Sequence, residues 1–248
     1  GDRDFEPVDG VRTGGHGELL CETGRLLCTT MQTLSPSMPS AMTLIVHHLN
    51  NSRSQRLLWM LEELELPYEI RFYERDKATM LAPPELKKVH PLGKSPVLED
   101  GRIKLVETGA ICEYLVEKTG RLGPGDSGEG LRRYRQFLHY AEGSVMPMLL
   151  LMLAMGKVPL MGKIALKRIQ PMVDVHLDYI EQELASRPWF AGKAISAADI
   201  MMSFPLEAAV SRAGLGSSRP ATMAWLKKIH ARPAYQRALE KGGEYDYA

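Results

Sequence analysis

The sequence predicts a small α/β domain followed by an all-helical domain. Between residues 42 and 122, short apolar runs of strand type alternate with amphipathic stretches of helix type, whereas beyond residue 130 the apolar residues recur only at helical spacing. Glycines and a proline crowd the segment between these regions, which is typical of a domain boundary. We therefore expect an α/β domain over residues 42–122, a linker over 123–130 and a helical domain over 131–248.

The first elements of the α/β domain form a strand–helix–strand unit over residues 43–73. Residues 44–46 are a short apolar, β-branched run that indicates a buried strand. From Ser52 the apolar residues recur at spacings of three and four positions, which is typical of a helix, and Glu62 and Glu63 lie off the apolar face. Pro67 ends this helix. Alternation from Tyr68 onward predicts a second strand, which such a unit places parallel to the first.

A second group of elements follows a long polar, proline-rich connection. His90–Leu98 leads into a third strand, Asp100–Gly101 is a strong hairpin signal, and residues 103–106 return as a fourth strand. Residues 107–118 then show helical spacing. The expected order of this domain is therefore β-α-β, a long connection, and β-β-α.

The second domain contains only helical patterns. Apolar residues at helical spacing mark one long helix over residues 131–145 and another over 172–180. Ser196 and Asp199 resemble a capping box at the start of a further helix. Two shorter helices are expected around Met223–His230 and Ala234–Lys241.

Composition excludes several classes of function. The 31 basic residues against 30 acidic ones give a net charge of +1, which argues against a polybasic nucleic-acid binder and against an acidic disordered chain. The longest apolar run, around Met148–Met155, is far shorter than the roughly 20 residues of a membrane helix, so we expect no membrane insertion. The cysteines, Cys21, Cys28 and Cys112, form no C-x-x-C motif, which disfavours a zinc ribbon or a thioredoxin-type redox centre and fits a reducing cytoplasm.

Residues 1–41 differ in composition from the rest of the chain. They have little apolar periodicity, no apolar core of a secretory signal, and too many acidic residues for a mitochondrial transit peptide. Met42 is a plausible natural start, because a strand pattern follows it directly. We expect a loosely held N-terminal extension, with a regulatory or packing segment as the alternative.

Four local motifs together resemble those of the cytosolic glutathione transferases over about residues 42–245. They are Asn50–Arg56, Gly93–Leu98, Val106–Ile111 and Ser196-x-x-Asp199. The first motif looks most like the bacterial and fungal branch that is related to a yeast membrane-associated transferase. The resemblance implies a thioredoxin-like N-terminal domain and an all-helical C-terminal domain. It also implies glutathione as co-substrate, no metal, a cytoplasmic homodimer and a role in detoxification.

The chemistry of glutathione points to the turn before the first helix. A free thiol with a pKa of about 8.5 is only ~3% ionised at pH 7, so the site must stabilise the thiolate. A hydroxyl donor near a helix N-terminus can do this. Ser52 lies there, four residues before Arg56, which is the spacing of the serine-type members, so we expect Ser52 to be the catalytic donor. A simple N-cap role for Ser52, or donation by Ser54, Asn50 or Asn51 instead, stays open.

The second motif is expected to hold the peptide backbone of glutathione. The resemblance implies a cis bond before Pro96, which turns Val97 toward the extended cysteinyl backbone like an added strand. An ordinary trans proline at the start of an edge strand is the alternative. Lys94 and, less directly, His90 are candidates to neutralise the glycyl carboxylate.

The third motif is expected to hold the γ-glutamyl end of glutathione. A carboxylate at Glu107 favours the α-ammonium group of the ligand. The hydroxyl and backbone N–H of Thr108, which replaces the usual serine, can hold the α-carboxylate at the positive end of a helix. Simple helix capping is the alternative.

An apolar, methionine-rich stretch over residues 145–155 is a candidate wall for hydrophobic electrophiles, because methionine is flexible and polarisable. Met146, Met148 and Met152 would line this pocket at the domain junction. A helix-bundle core or a dimer interface is the alternative.

The remaining candidates are structural. We expect Arg56 to pack or pair near the first helix, Asp199 to cap a helix, and Cys112 to be a buried small residue rather than a nucleophile. No cysteine lies at residues 50–55, which disfavours the cysteine-type members that reduce mixed disulfides.

The predicted function is therefore conjugation of the glutathione thiolate to a small hydrophobic electrophile. A glutathione-dependent peroxidase, isomerase or dehalogenase would use the same thiolate and is not separated by these residues. A non-catalytic binding module with this fold is the alternative from another class.

Overall fold

The computed structural model describes residues 43–126, 128–159 and 161–248. The expectations for residues 1–41, for the start at Met42 and for Cys21 and Cys28 lie outside the described residues.

The N-terminal part is a four-stranded sheet with helices on it, in the strand order β2-β1-β3-β4. β1 and β2 are parallel, with Leu44 opposite Tyr68, whereas β1 with β3 and β3 with β4 are antiparallel. This is the thioredoxin-like arrangement that the sequence predicted. Its elements are β1 (Leu44–Leu49), α1 (Ser54–Leu64), β2 (Tyr68–Tyr73), the short α2 (Leu86–Val89), β3 (Val97–Asp100), β4 (Ile103–Leu105) and α3 (Thr108–Thr119).

Every helix or strand named within the described residues of the C-terminal part is a helix. Its elements are α4 (Gly128–Tyr140), a π-helical turn (Ala141–Val145), α5 (Met146–Gly156), α6 (Met161–Ser186), α7 (Ala197–Ala213), α8 (Pro220–His230) and α9 (Pro233–Gly242). α4 begins inside the segment expected to be linker, and α6 begins well before residue 172. The sequence patterns did not mark the first turns of either helix as helical.

α1 joins the two parts, because it packs against α7 and α9 as well as against the sheet. Nearly every side chain of α1 is buried, and this corrects the expectation that Glu62 lies on an open face. Glu62 is 7% exposed and accepts hydrogen bonds from Tyr68 and Arg237 at 2.8 and 2.7 Å, with Lys241 beside it. Arg237 and Lys241 of α9 thus pair with Glu62 on the polar face of α1 and help to bury it.

The start of α7 is held by the predicted capping box. The Ser196 backbone N–H donates to Asp199 Oδ2 at 2.9 Å, and the Phe190 N–H donates to Oδ1 at 3.0 Å. Burial raises the pKa of Asp199 to about 6, against the opposing effect of these hydrogen bonds. Asp199 therefore joins α7 to the loop before it, in the structural role expected for it.

α4, the π-helical turn and α5 form one helical run of 29 residues, Gly128–Gly156, with a window of mean hydropathy 1.4 that is 39% buried. By length and composition this run could cross a membrane, although the core helix of a soluble protein passes the same test. Its length exceeds the short apolar run seen in the sequence, because the helix continues through polar residues. The expected absence of membrane insertion therefore stays a prediction.

Candidate active site

The turn between β1 and α1 buries Ser52, which is 5% exposed. Asn51 before it has a φ of 49°, in the left-handed region that asparagine tolerates better than most residues. Ser52 Oγ accepts the Ser54 backbone N–H at 3.2 Å, at the first residue of α1. The hydroxyl of Ser52 thus satisfies one backbone donor at the positive end of this helix.

A chain of hydrogen bonds runs inward from Ser52. Its hydroxyl lies 2.7 Å from Ser54 Oγ, which lies 2.9 Å from His48 Nδ1, and His48 Nε2 lies 3.0 Å from the Gly242 carbonyl. Burial lowers the pKa of His48 to about 4, so the ring is neutral at pH 7. Because a carbonyl can only accept, Nε2 carries the ring proton and Nδ1 is the acceptor.

The direction of this chain follows from its inner end. The single proton of Ser54 points inward, to His48 Nδ1 or to the Leu49 carbonyl at 3.2 Å, and its oxygen also accepts the Leu49 N–H at 3.1 Å. Ser52 must therefore donate its own proton to Ser54. Ser54 is fully buried and its proton is used, so it is not free to serve a ligand.

Asn51, another alternative donor, is also occupied. Its Nδ2 donates to Asp246 Oδ2 at 2.8 Å, and its Oδ1 accepts the Asp246 backbone N–H at 2.8 Å. Asn50 accepts the Arg75 N–H with its amide oxygen at 2.9 Å, which leaves its Nδ2 still available as an alternative donor.

Two arginines beside the turn share one carboxylate from the helical part. Arg56 has a side chain only 1% exposed, pairs with Glu142, and donates to the Met201 carbonyl at 2.7 Å. Arg53 Nε lies 2.9 Å from both Glu142 oxygens. Burial would raise the pKa of Glu142, but the Arg56 and Arg53 charges outweigh it and hold that pKa below its ordinary value. Arg56 thus pairs across the two parts of the fold.

The Ser95–Pro96 peptide bond is cis, which confirms that prediction. Val97 lies opposite His47 in the β1–β3 ladder, and its side chain is fully buried.

The register then corrects the role predicted for Val97. Asp100 and Ile103 flank a two-residue turn and form a hydrogen-bonded pair, so alternate residues of β3 direct their backbone groups to β4 and to β1. Val97 therefore directs its N–H and C=O to β1, which leaves them unavailable to a ligand. Within this loop Lys94 is exposed and Ser95 is partly exposed.

The start of α3 combines a strained residue with a helix N-terminus. Glu107 is exposed and has φ 66° and ψ 114°, where a residue with a side chain is strained. Thr108, 5% exposed, is the first residue of α3. The N–H groups of the first helical turn have no partner within the helix and attract an anion.

Of the remaining candidates, Lys94 is exposed, and His90 is half-buried with its Nδ1 accepting the Leu92 N–H at 3.3 Å.

The methionines predicted to line an electrophile pocket separate into two groups. Met146 and Met152 are 1% and 6% exposed and belong to the hydrophobic core, which corrects their assignment to an open wall. α5 is apolar on all sides, so the sequence pattern did not show which face would meet α7. Met148 is half-buried and remains a candidate.

Cys112 is fully buried, and burial raises the pKa of its thiol to about 12, as expected for a core residue. Among the described residues, no group of three or more His, Cys, Asp or Glu side chains could hold a metal ion.

Sequence reasoning missed His48, Glu142 and Asp246. His48 lies at the end of β1, just before the first motif, and was given no role there, whereas no sequence signal linked the other two to the turn.

The comparisons with known proteins agree with this geometry. A family model described as the N-terminal domain of glutathione S-transferase matches residues 42–117, and one for the C-terminal domain matches residues 148–233. The chain belongs to the glutathione S-transferase family.

Relatives in this family cover most of the chain. Glutathione S-transferase 3 of Schizosaccharomyces pombe is 37% identical over 80% of this chain and 87% of its own length. Glutathione S-transferase 1 of Saccharomyces cerevisiae is 36% identical over 79% of this chain and 94% of its own. These relatives confirm the enzyme class predicted from the sequence, glutathione transferase.

Solved structures of the family share the fold. A glutathione S-transferase from Actinobacillus pleuropneumoniae has a TM-score of 0.76 and 33% identity, covering 83% of this chain and 95% of its own. A glutathione transferase from Burkholderia graminis, solved with two glutathione molecules per subunit, has a TM-score of 0.70 and 28% identity, covering 82% and 90%. Glutathione is accordingly confirmed as the co-substrate expected for this family.

Proposed function

We propose that the enzyme conjugates the glutathione thiolate to small hydrophobic electrophiles, with Ser52 as the donor to sulfur, and that it serves detoxification in the cytoplasm. The observation that supports Ser52 over two of its three rivals is their occupancy, because Ser54 and Asn51 use their donors within the protein. The test is conjugation of glutathione to an aromatic halide together with calorimetric binding of glutathione. Binding without conjugation of any electrophile in a substrate panel would contradict transfer and favour a binding module.

The mechanism needs one exchange of hydrogen bonds. In the free enzyme Ser52 donates to Ser54 over 2.7 Å. When the thiolate arrives, Ser52 turns its proton to sulfur, while its oxygen keeps the Ser54 N–H at the start of α1. A hydrogen bond to an ion is stronger than one between neutral groups, so the exchange favours the ionised form. Each unit by which the thiol pKa falls corresponds to ~1.4 kcal/mol.

We place the rest of glutathione along the exposed edge that leads from Ser95 to α3. Glu107 faces the α-ammonium group, and Thr108 with the first N–H groups of α3 receives the adjoining carboxylate. The exposed side chain of Lys94, with His90 nearby in the loop, meets the glycyl carboxylate. The half-buried Met148 is proposed to line the electrophile pocket.

The strained backbone of Glu107 gives a prediction that separates stability from binding. Glu107→Gly should raise the free energy of unfolding by about 1 kcal/mol, because glycine adopts a positive φ without strain, and should weaken glutathione binding about tenfold through loss of the carboxylate. Denaturant unfolding and calorimetry measure the two effects. Glu107→Gln is the matched control, which keeps the strain and removes the charge. If both variants bind glutathione like the parent enzyme, Glu107 does not contact the ammonium group.

We also propose that the enzyme is a homodimer. α6 exposes an apolar stripe that includes Met161, Ile164, Met172 and Val175, the last being 68% exposed. A second copy that covers this stripe would remove a contiguous apolar surface from water. Sedimentation velocity should give twice the 27.7 kDa of one chain, and Val175→Glu should shift the species toward the monomer. A parent protein that stays monomeric at micromolar concentration would contradict the proposal.

A further inference from the structure

The segment that follows α9 reaches the catalytic turn through Asp246. Both hydrogen bonds go to the side-chain amide of Asn51. The Asp246 backbone N–H donates to Asn51 Oδ1, and Asp246 Oδ2 accepts from Asn51 Nδ2, each over 2.8 Å. Asn51 is the residue directly before Ser52 and has a left-handed backbone. A rotation of the Asn51 peptide would therefore move the Ser52 hydroxyl.

Asp246 is itself held in place by its neighbours. The Tyr245 hydroxyl bonds the buried carboxylate of Glu207. Tyr247 accepts a hydrogen bond from Arg212 at 2.9 Å, and its ring lies 5.5 Å from that of Phe204. Both flanking side chains are anchored on α7. Asp246 therefore loses little conformational entropy when it bonds Asn51. This offsets the weakness expected of exposed hydrogen bonds.

The end of α9 supports the same turn from its inner side. The Gly242 carbonyl accepts from His48, at the inner end of the chain that begins at Ser52. Gly242 also allows a close approach to α1, since a Cβ there would lie 2.3 Å from Gln55 Oε1. Residues 242–246 thus contact the Ser52 turn on two sides.

We propose that Asp246 is a positioning residue for the transferase reaction: it fixes the Asn51 peptide and thereby keeps the Ser52 hydroxyl within reach of the glutathione sulfur. This inference rests on the proposed role of Ser52. Asp246 does not touch the reacting atoms, and its effect is on kcat and on thiol ionisation rather than on the binding of the peptide backbone.

The test compares Asp246→Ala with the parent enzyme, using glutathione and an aromatic halide. Asp246→Ala should lower kcat about fivefold, the effect of one lost hydrogen bond, and should shift the rising limb of the rate–pH profile upward, with KM for glutathione within about twofold. Asp246→Asn, which keeps an acceptor for the Asn51 amide, should recover most of the rate. Glu244→Ala, at an exposed acid in the same segment, is the matched control and should leave rate and profile unchanged.

The same substitution made in a Ser52→Ala enzyme separates this inference from the role of Ser52. If Asp246 acts through Ser52, Asp246→Ala should have no further effect on the profile of a Ser52→Ala enzyme, whereas a general structural role would act equally in both backgrounds. An equal fold-loss in both backgrounds, or an unchanged profile in the single Asp246→Ala variant, would overturn the inference. If Ser52→Ala alone leaves the profile unchanged, the proposed function of Ser52 is what fails.

Discussion

Replacing Ser52 by alanine is expected to raise the pKa of bound glutathione by about 2 and to lower kcat/KM by about fiftyfold at pH 6.5. The alanine removes the donor that we assign to the thiolate. At this pH a thiol that returns to its free pKa is almost wholly protonated. The ultraviolet absorbance of the bound thiolate, titrated against pH, measures ionisation directly, and the rate–pH profile measures its consequence.

Two further variants make the Ser52 result specific. Ser52→Thr keeps the hydroxyl and should recover part of the rate, with the added methyl crowding a position that is 5% exposed. Ser217→Ala removes an exposed hydroxyl and should change nothing. Titration curves that coincide for the parent and Ser52→Ala would show that another group stabilises the thiolate. In that case the positive end of α1 and the Asn50 amide are the remaining candidates.

Replacing Glu142 by glutamine is expected to lower the free energy of unfolding by about 2 kcal/mol at pH 7. The glutamine leaves Arg56, whose side chain is 1% exposed, without its charge partner. Breaking a buried pair in this way costs more than the pair adds. The expected loss is smaller than the ~3–5 kcal/mol of a fully buried pair, because Glu142 is itself 31% exposed and water replaces part of its effect.

Chemical denaturation of Glu142→Gln against Glu240→Gln measures this loss, since Glu240 is an exposed acid on α9. In an Arg56→Met background the Glu142→Gln change should cost much less, because no buried charge is then left behind. Equal losses in both backgrounds would show that Glu142 stabilises the fold without Arg56.

The same substitution gives a pH dependence with a definite sign. The pKa of Glu142 is held below its ordinary value of 4.5, so the folded state favours the charged form. Its stabilisation is present above that pH and is lost as the pH falls through the lower, folded-state pKa. The difference between the parent and Glu142→Gln should accordingly be complete at pH 7 and shrink below about pH 4.

Several features of the site were predictable because they depend on neighbours in sequence. The Asp100–Gly101 turn and the helix start at Ser196 follow from turn chemistry and capping, whereas the thioredoxin-like strand order was implied by the family resemblance. The buried state of Cys112 was predicted from its position in the middle of a helix. Such signals act over a few residues and need no knowledge of the rest of the fold.

The errors arose where packing decides between equivalent options. In the uniformly apolar α5, nothing local distinguishes Met146 and Met152, which meet the core, from the leucines that stay exposed. Val97 belongs to a motif that indicates a ligand, yet the register of β3 turns its backbone toward β1. The sequence pattern predicts Glu62 to be a surface acid, but in the folded protein Arg237 and Lys241 of α9 pair with it.

The sequence alone was enough to predict the enzyme family, the order of the strands along the chain and a small set of hydroxyl and amide groups at the turn before α1. Which of these groups already bond within the protein was shown only by tertiary contacts. Arg56 meets Glu142 across 86 positions of the chain, and Asn51 meets Asp246 across 195. Hydrogen bonds and ion pairs act over about 3 Å in space regardless of separation along the chain, so the folded arrangement alone decides which donors are already used.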